Sequence, residues 1–259
     1  MQMAPEGNRR PHPSQSSSSY PRPAEISLKL DPKKTCLLVI DMQKGFVDED
    51  GFVARQGLNI DGVKRTIPVI KQAVDYCHSK GIPVFYTQQI HVPEAFDERG
   101  LPKLHQFIGR ELAYASESEG YKLARRGTQD AEFTESIKPS DKDYILPKNK
   151  PSAFFQTMFE VYLKYLGIKT VLVTGCNTGY CVVSTLTDAW ARDFDTITIE
   201  GGVGDPDTEL TEALLELFDR RFGRVMTLKD VIQILDAFPQ AGTIKGYPTY
   251  VSRQRKNNG

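Results

Sequence analysis

The amino-acid sequence predicts an α/β fold, a Rossmann-like three-layer α/β/α sandwich whose sheet has about six parallel strands. One observation is that short continuous runs of aliphatic and β-branched residues recur along the chain, as in strands that are buried on both faces. A second is that the intervening segments repeat their apolar residues with a period near 3.6, which is typical of helices. Strands that alternate with helices favour a parallel sheet covered by helices on both sides.

The predicted strands are residues 36–40, 83–86, 144–146, 170–174 and 196–199. A first helix carries apolar side chains from Val63 to Cys77 and ends before Gly81. Because Pro68 interrupts this pattern, the helix either kinks there or begins near Thr66.

Three further helices follow the same reasoning. Apolar residues spaced for one helical face recur from 155 to 166, before Gly167, and another helix is expected from about 180 to 192. The last helix is opened by Asp205 and Pro206, ends before Gly223, and carries the apolar residues Leu210, Leu214, Leu217 and Phe218.

Composition limits the kinds of partner. The 259 residues include 33 Lys and Arg and 33 Asp and Glu, so a formal charge of zero argues against a nucleic-acid binder. No stretch approaches the roughly 18 apolar residues that cross a bilayer, which argues against a membrane protein. Four cysteines are too few for a disulfide scaffold. We therefore expect a cytoplasmic protein whose partner is a small molecule, although these features do not separate the cytosol from an organelle.

Residues 1–27 are rich in Pro and Ser and are expected to form a disordered tail, because they have too few large aliphatic side chains to form a core. Residues 28–245 form the predicted single domain. Residues 246–259 are a polar, basic extension. Both ends carry an excess of basic residues that could contact acidic partners, but solvated tails without a function are the simpler interpretation.

Polar residues follow the predicted strands at the point where each strand ends. Asp41 comes directly after the first strand, Lys148 follows the third, and Cys181 follows the fourth strand after a short loop. The carboxyl ends of parallel strands meet at one edge of an open sheet, where ligands bind. Taken singly, each residue also has a structural explanation, as a turn carboxylate, a solvated lysine or a small buried residue.

Three motifs contain these residues: LLVIDMQKGF at 37–46, ILPKNKPSAFFQT at 145–157 and VLVTGCNTGYCVVSTLTDAW at 171–190. In these motifs the sequence resembles the isochorismatase-like cysteine hydrolases, a family that includes nicotinamidases, N-carbamoylsarcosine amidase and ureidoacrylate amidohydrolases. The motifs occur in the family's order, and the resemblance extends over residues 35–237.

The resemblance implies a catalytic triad of Asp41, Lys148 and Cys181, and Lys150 does not match the motif. It also implies a non-proline cis peptide at Cys176–Asn177 and an oxyanion hole built from the backbone N–H groups of Asn177 and Cys181. The implied reaction is attack of Cys181 on an amide-like carbonyl, formation of a thioester and hydrolysis of that thioester, with no metal or organic cofactor.

The sequence departs from the family pattern in two places. Gly179 stands where an acid is common, so we expect a turn that is more mobile or shaped for a different ligand. Nicotinamidases carry a D-x-H metal motif after the second strand, whereas this chain has only His91 there, which is as consistent with a loop or wall residue as with a ligand contact. A metal site is therefore not expected.

Two other functions stay open. Isochorismatases proper resemble the chain as well, but they carry glycine at the nucleophile position, so Cys181 favours an amide, ureido or carbamoyl substrate. A catalytically silent binding protein on the same fold is the alternative from another class. It does not explain why an acid, a cation and a thiol are retained together.

Six residues are expected to contact substrate, although each could instead have a purely structural role. They are Gln43, Phe46, Gln89, Phe154 and Tyr180, with Gln88 beside them. In the resembling ureidoacrylate enzymes an asparagine occupies the place of Gln89. Residues 90–122 match the family least, and we expect them to form much of the pocket entrance. In this family a neighbouring subunit often contributes there, so a homo-oligomer, a dimer or tetramer, is expected.

A glycine-rich segment and a pair of cysteines do not indicate a further binding site. The segment EGGVGD at 200–205 lacks the full G-x-G-x-x-G spacing and does not follow the first strand, so nucleotide binding is not expected. Cys176 and Cys181 do not have a zinc spacing.

Overall fold

The computed structural model describes residues 25–91 and 124–245. Its strands are β1 Glu25–Leu28, β2 Thr35–Ile40, β3 Val84–Gln89, β4 Tyr144–Lys148, β5 Thr170–Cys176, β6 Asp195–Gly204, β7 Arg224–Met226 and β8 Gly242–Lys245. Six of them form one parallel sheet in the order β4-β3-β2-β5-β6-β7, and β1 pairs with β8 in a separate antiparallel sheet. The predicted fold class is confirmed, and β7 is the sixth strand that the sequence left unplaced.

The helices are α1 Lys44–Val47, α2 Phe52–Arg55, α3 Asp61–Lys64, α4 Ile67–Lys80, α5 Phe159–Tyr165, α6 Val183–Trp190, α7 Thr208–Arg221 and α8 Leu228–Ala237. A π-helical turn, Thr178–Val182, precedes α6. Among the described residues, no helix combines the length and the apolar character that crossing a membrane requires.

Two apolar layers cover the sheet, one on each face. Leu37 and Val39 of β2 belong to the layer that includes residues of α4 and α8, whereas Leu38 and Ile40 belong to the layer with α5, α6 and α7. Side chains alternate between the faces of a strand, and every residue of β2 is buried. This is why the central strand reads as a continuous apolar run.

The helix boundaries differ in part from the prediction. α4 begins at Ile67, with Pro68 in its first turn, where the missing N–H removes no helical hydrogen bond. α5 begins later than expected, at Phe159, whose N–H donates to Thr157 Oγ1. Phe155 and Met158 are 47% and 51% exposed, so the apolar stripe predicted from residue 155 was wrong at its amino end.

α7 also starts later than the sequence suggested. Asp207 caps it by accepting a hydrogen bond from the N–H of Leu210, so Asp205 and Pro206 lie before the helix. Leu210 and Leu217 are 40% and 39% exposed, which contradicts the expected buried stripe in part. α7 contributes Leu215 and Phe218 to the core instead.

The first described element, β1, begins at residue 25, within the segment 1–27 that was expected to be a tail. Most of the predicted tail, the whole of the extension 246–259 and most of the predicted pocket entrance lie outside the described residues.

The chain order reverses between β2 and β5. From β2 the chain proceeds outward through β3 and β4, and after β5 it proceeds outward in the other direction through β6 and β7. A crevice at such a reversal is where open α/β sheets bind their ligands. The segments that follow β2 and β5 contain Asp41 and Cys181.

Candidate active site

Asp41 is the first residue after β2, and its carboxylate is buried in the crevice. Its φ of 50° lies in the left-handed region, which is uncommon for a residue other than glycine. The side chain is 1% exposed, and Oδ2 lies 2.6 Å from Lys148 Nζ. Thr87 Oγ1 donates to Asp41 Oδ1 at 2.7 Å and accepts from the Asp41 N–H at 3.1 Å. The carboxylate is therefore held from two neighbouring strands.

Lys148 ends β4 and brings a cation to the same edge. Besides the ion pair with Asp41, its Nζ donates to Gln89 Oε1 at 2.7 Å, to the Lys150 carbonyl at 3.2 Å and to Cys181 Sγ at 3.4 Å. Burial alone would lower the pKa of Lys148, but the negative charge of Asp41 and the hydrogen bonds to Asp41 and Cys181 outweigh it and raise this pKa. The side chain is thus a charged ammonium although it is fully buried.

Cys181 lies within the π-helical turn, just before α6, and is 5% exposed. Burial is the main cause that raises the pKa of its thiol, and Lys148 acts against it by lowering the pKa. The Asp41 carboxylate raises the same pKa, both by its charge and by a hydrogen bond with the thiol. The resting thiol is therefore protonated and faces a base that can take its proton.

The π-helical turn changes which backbone groups are bonded. In an α-helical turn the Asn177 carbonyl would accept from the N–H of Cys181. Here it accepts instead from the N–H groups of Tyr180 and Val182, each at 3.1 Å. The Asn177 carbonyl is therefore not bonded to the N–H of Cys181 as it would be in an α-helix. The peptide bond Cys176–Asn177 is cis.

A glycine lets β5 approach the end of β2. Gly175 has a φ of 110°, and a Cβ placed on it would lie 2.1 Å from the Ile40 carbonyl oxygen, so no larger residue fits. Immediately beyond it, Cys176 Sγ donates to the carbonyl of Asp41 at 3.3 Å. The two segments that carry Asp41 and Cys181 are therefore in direct contact.

The two glutamines predicted to contact substrate have different surroundings. Gln43 is fully buried, and its Nε2 donates to the carbonyls of Gln89 and Ala131, both at 2.9 Å. Its Oε1 accepts from the Gln89 N–H at 2.7 Å. These bonds favour a bracing role for Gln43, whereas Gln89 reaches Lys148 directly through Oε1.

The other predicted wall residues are dispersed. Phe46 lies in α1 and packs in the layer of α4 and α8. Phe154 is buried in the opposite layer, the one that contains Cys181, and its ring lies 4.9 Å from that of Phe159. Tyr180, next to the nucleophile, is 42% exposed. Phe154 therefore shares the apolar layer of Cys181, Tyr180 adjoins Cys181 in the chain, and Phe46 lies on the other face of the sheet.

His91 lies next to this cluster. Its Nε2 is 3.2 Å from Gln89 Nε2. Burial and the positive charge of Lys148 lower the pKa of His91 to about 4, so the ring is neutral at neutral pH. Within residues 25–91 and 124–245, no three His, Cys, Asp or Glu side chains cluster closely enough to hold a metal ion.

Thr87 is a site residue that the sequence analysis missed. It is fully buried and lies opposite Ile40 in the pairing of β2 with β3. A hydroxyl directly after the apolar start of β3 is the signal that could have identified it.

Two cavities bounded by described residues, of about 500 and 360 Å³, contain none of Asp41, Lys148 and Cys181.

A thiol, a carboxylate and an ammonium group at the carboxyl edge of an open parallel sheet are the groups that a hydrolase with a cysteine nucleophile uses. The chain belongs to the isochorismatase family, because residues 35–230 match the model of the isochorismatase domain. The resemblance drawn from the motifs is thereby confirmed.

Relatives and solved structures agree with this assignment. The chain is 31% identical over 222 residues to ureidoacrylate amidohydrolase RutB of Rhizobium rhizogenes, covering 84% of this chain and 89% of the relative. An isochorismatase-like hydrolase from Alkaliphilus metalliredigens superposes with a TM-score of 0.60 at 30% identity, covering 77% and 98% of the two chains. A cysteine hydrolase from Pseudomonas syringae pv. phaseolicola shares the fold at a TM-score of 0.69 and 20% identity, over 85% and 99%.

Proposed function

We propose that the protein is a cysteine-dependent amidohydrolase that cleaves the C–N bond of a small ureido, carbamoyl or carboxamide substrate. The observation that carries this proposal is the buried cluster in which Lys148 Nζ lies 2.6 Å from Asp41 Oδ2 and 3.4 Å from Cys181 Sγ. The proposal agrees with the name of the relative from Rhizobium rhizogenes, a ureidoacrylate amidohydrolase.

The first half of the reaction forms a thioester. Asp41 takes the thiol proton of Cys181, and the sulfur attacks the carbonyl carbon of the substrate, which becomes tetrahedral. Lys148 stabilises the thiolate before attack and keeps the Asp41 carboxylate in place. The intermediate collapses when the C–N bond breaks, and the leaving nitrogen receives the proton from Asp41 and departs as ammonia or an amine.

The second half returns the enzyme to its starting state. A water molecule gives a proton to Asp41 and attacks the thioester carbon. The C–S bond then breaks, the acid leaves, and the sulfur recovers its proton from Asp41. One carboxylate therefore serves as base and acid in turn, and one water molecule is consumed for each C–N bond.

An oxyanion forms in both halves and needs hydrogen-bond donors. We assign this role to the backbone N–H groups of Asn177 and Cys181. The assignment is supported by the π-helical turn, since the Asn177 carbonyl bonds to Tyr180 and Val182 rather than to Cys181. Donors that are fixed before the reaction stabilise the oxyanion without reorganising.

The buried cluster also weighs against the two alternatives. Hydrolysis of a vinyl ether needs no thioester, so it gives no reason for a thiol 3.4 Å from a buried ammonium. A silent binding protein would carry an ion pair whose side chains are 0% and 1% exposed without using it. Burying such a pair costs desolvation energy that an apolar pair would not.

The test is a panel of ureido, carbamoyl, nicotinamide and maleamate compounds, with isochorismate alongside, in which released ammonia is measured. The ureido and carbamoyl compounds are expected to be hydrolysed. Cys181→Ala should reduce the rate by about 10³-fold or more, because no thioester can form.

The matched control is Cys77→Ala, which removes a buried thiol outside the crevice. Circular dichroism should show that both variants are folded. Turnover by folded Cys181→Ala at the wild-type rate would refute the mechanism, and turnover of isochorismate alone would favour the runner-up.

We propose further that the enzyme acts in the cytoplasm, without a metal or organic cofactor, as a homodimer or homotetramer. Exposed apolar side chains on α5 support an oligomer, since Val161 and Tyr165 are one helical turn apart and 53% and 87% exposed. Sedimentation equilibrium of the full chain tests this, and a monomer at micromolar concentration would contradict it.

A further inference from the structure

The segment that follows β6 contains a buried carboxylate that the proposed mechanism does not use. Asp205 is the residue after Gly204, and Gly204 lies opposite Cys176 in the pairing of β5 with β6. Asp205 is 8% exposed. It therefore lies in the core of the molecule, level with the start of the turn that carries the nucleophile.

Both carboxylate oxygens of Asp205 bind backbone N–H groups. Oδ2 accepts from the Gly179 N–H at 2.9 Å, and Oδ1 accepts from the Asp207 N–H at 3.1 Å. Gly179 is two residues before Cys181, and Asp207 is the N-cap of α7. One carboxylate thus connects the nucleophile turn to the beginning of α7.

The backbone around Asp205 is held from behind by α3. A Cβ on Gly62 would lie 2.1 Å from the Asp205 carbonyl oxygen, and a Cβ on Gly204 would lie 2.3 Å from the Gly62 carbonyl oxygen. Contacts this close leave the chain at Asp205 no room to move towards α3.

α7 covers the other side of the turn. A Cβ on Gly179 would lie 2.5 Å from Leu210 Cδ2. Thr211 Oγ1 lies 3.4 Å from Thr178 Oγ1, which adds a contact from the next residue of the helix. The segment around Gly179, which was expected to be mobile, is thus held between the Asp205 carboxylate and the first turn of α7.

We infer that Asp205 is a positioning residue for the nucleophile, whose carboxylate fixes the turn from Asn177 to Cys181 through the Gly179 N–H. The inference rests on the proposed function for its kinetic part. The segment EGGVGD, rejected as a nucleotide motif, acquires a role in this way.

Asp205 acts through geometry rather than through its charge. The groups that shift the pKa of the Cys181 thiol, after burial, are Lys148 and Asp41. Burial raises the pKa of Asp205 itself, and the hydrogen bonds from Gly179 and Asp207 oppose this. Because Asp205 is not one of the groups that shift the pKa of the thiol, loss of its charge alone should leave the labelling profile of Cys181 unchanged. Displacement of the turn should alter that profile, because it changes the position of the thiol relative to Lys148 and Asp41.

The test compares Asp205→Ala and Asp205→Asn with Asp219→Ala in the full chain. Asp219 is a matched control, because it is 6% exposed and its Oδ1 accepts from the Val225 N–H at 3.1 Å, away from the turn. Thermal unfolding reports stability, steady-state kinetics on an active panel compound gives kcat and KM, and iodoacetamide labelling across pH reports the thiol.

Asp205→Ala should lower kcat about 10- to 100-fold and change KM less than about threefold, because a displaced nucleophile fails in the transition state. Its pH profile of Cys181 labelling should differ from that of the wild type. Asp205→Asn keeps the shape with one acceptor oxygen instead of two, so a smaller loss of kcat is expected. Asp219→Ala should lower stability and leave kcat and the labelling profile unchanged.

A kcat of folded Asp205→Ala within about twofold of wild type, or an equal loss in Asp219→Ala, would overturn the inference. If Asp205→Ala does not fold, Asp205→Asn decides by the same criteria. If the wild-type chain hydrolyses no compound of the panel, the proposed function fails. The labelling profiles then still decide the positioning role, and an unchanged profile in Asp205→Ala would refute it.

Discussion

Two ion pairs of this molecule have the same length and opposite surroundings. Lys148 Nζ lies 2.6 Å from Asp41 Oδ2 in the crevice, where the side chains are 0% and 1% exposed. Lys164 Nζ lies 2.6 Å from Glu160 Oε1 on α5, where they are 68% and 32% exposed. The two pairs therefore do not differ in the distance between their charges; they differ in their exposure to solvent.

The surroundings decide what each pair can do. On α5 a hydrogen bond from Lys164 lowers the pKa of Glu160, and water still screens both groups. In the crevice both side chains are shielded from bulk solvent, and the charge of Asp41 helps to keep Lys148 protonated. The buried pair is therefore a reactive unit coupled to a thiol, whereas the surface pair contributes little beyond local helix stability.

The largest expected effect on stability and activity is that of replacing the lysine of the buried pair by methionine. Lys148→Met leaves the Asp41 carboxylate buried without its cation, which should cost about 3–5 kcal/mol of unfolding free energy. The variant should also lose at least about 10³-fold in ammonia release, since Lys148 contacts both Asp41 and Cys181.

Lys164→Met is the matched control and should cost about 0.5 kcal/mol or less, with unchanged activity. Urea unfolding and initial rates measure both quantities. Equal losses of stability in the two variants would break the comparison.

A second experiment sharpens the comparison at the cysteines. Burial raises the pKa of all three thiols, so the pKa shifts do not separate them. Only at Cys181 does the structure place an ammonium 3.4 Å from the sulfur, together with a carboxylate that can take the thiol proton. Iodoacetamide should therefore label Cys181 faster than Cys36 or Cys77 at neutral pH.

Peptide mass spectrometry of the native protein measures the three rates. Lys148→Met should bring Cys181 towards the slow rate of Cys77. Equal rates at the three cysteines of the folded wild-type protein would count against an activated thiol.

The smallest effect concerns His91, next to the buried pair. Its pKa is about 4 in the folded protein, and an unfolded histidine has a pKa of about 6.5. Above that value the ring is neutral in both states. As the pH falls from about 6.5 towards 4, only the unfolded chain gains the proton, so stability is lost.

The expected loss is about 2 kcal/mol between pH 7 and pH 5. His91→Gln should remove this part of the pH dependence, as measured by urea unfolding at both pH values. If the free energy of unfolding depends on pH equally in the wild type and in His91→Gln, the surroundings of the crevice do not shift the pKa of His91 and the prediction fails.

The sequence predicted the architecture because buried parallel strands have a distinct composition. β2 and β5 are buried along their whole length and read as apolar runs, and the polar residues directly after them marked the edge of the site. β7 has three residues, too few for a pattern to be detected. The exposed Phe155 and Met158 were assigned to a buried face because periodicity alone does not say which apolar face is covered.

The sequence predicted the catalytic residues that lie within its motifs, but it did not predict Thr87 or Asp205. The partners of these two side chains lie in segments that follow neighbouring strands, and such contacts depend on the pairing of strands that are distant in the chain. Gln43 was expected to face a ligand, but its amide bonds to the backbone of Gln89 and Ala131. No local pattern separates these two uses of a buried amide.

The π-helical turn makes the site sensitive to the length of the chain rather than to its composition. A π turn holds one more residue between bonded groups than an α turn does. Deleting one residue between Asn177 and Val182 would restore an α turn and rotate the preceding side chains by about 100° relative to α6. α6 is anchored in the core by Leu186 and Ala189, so the rotation would fall on the nucleophile turn. A deletion of one residue in this turn should therefore disturb the nucleophile even when every other residue of the site is kept.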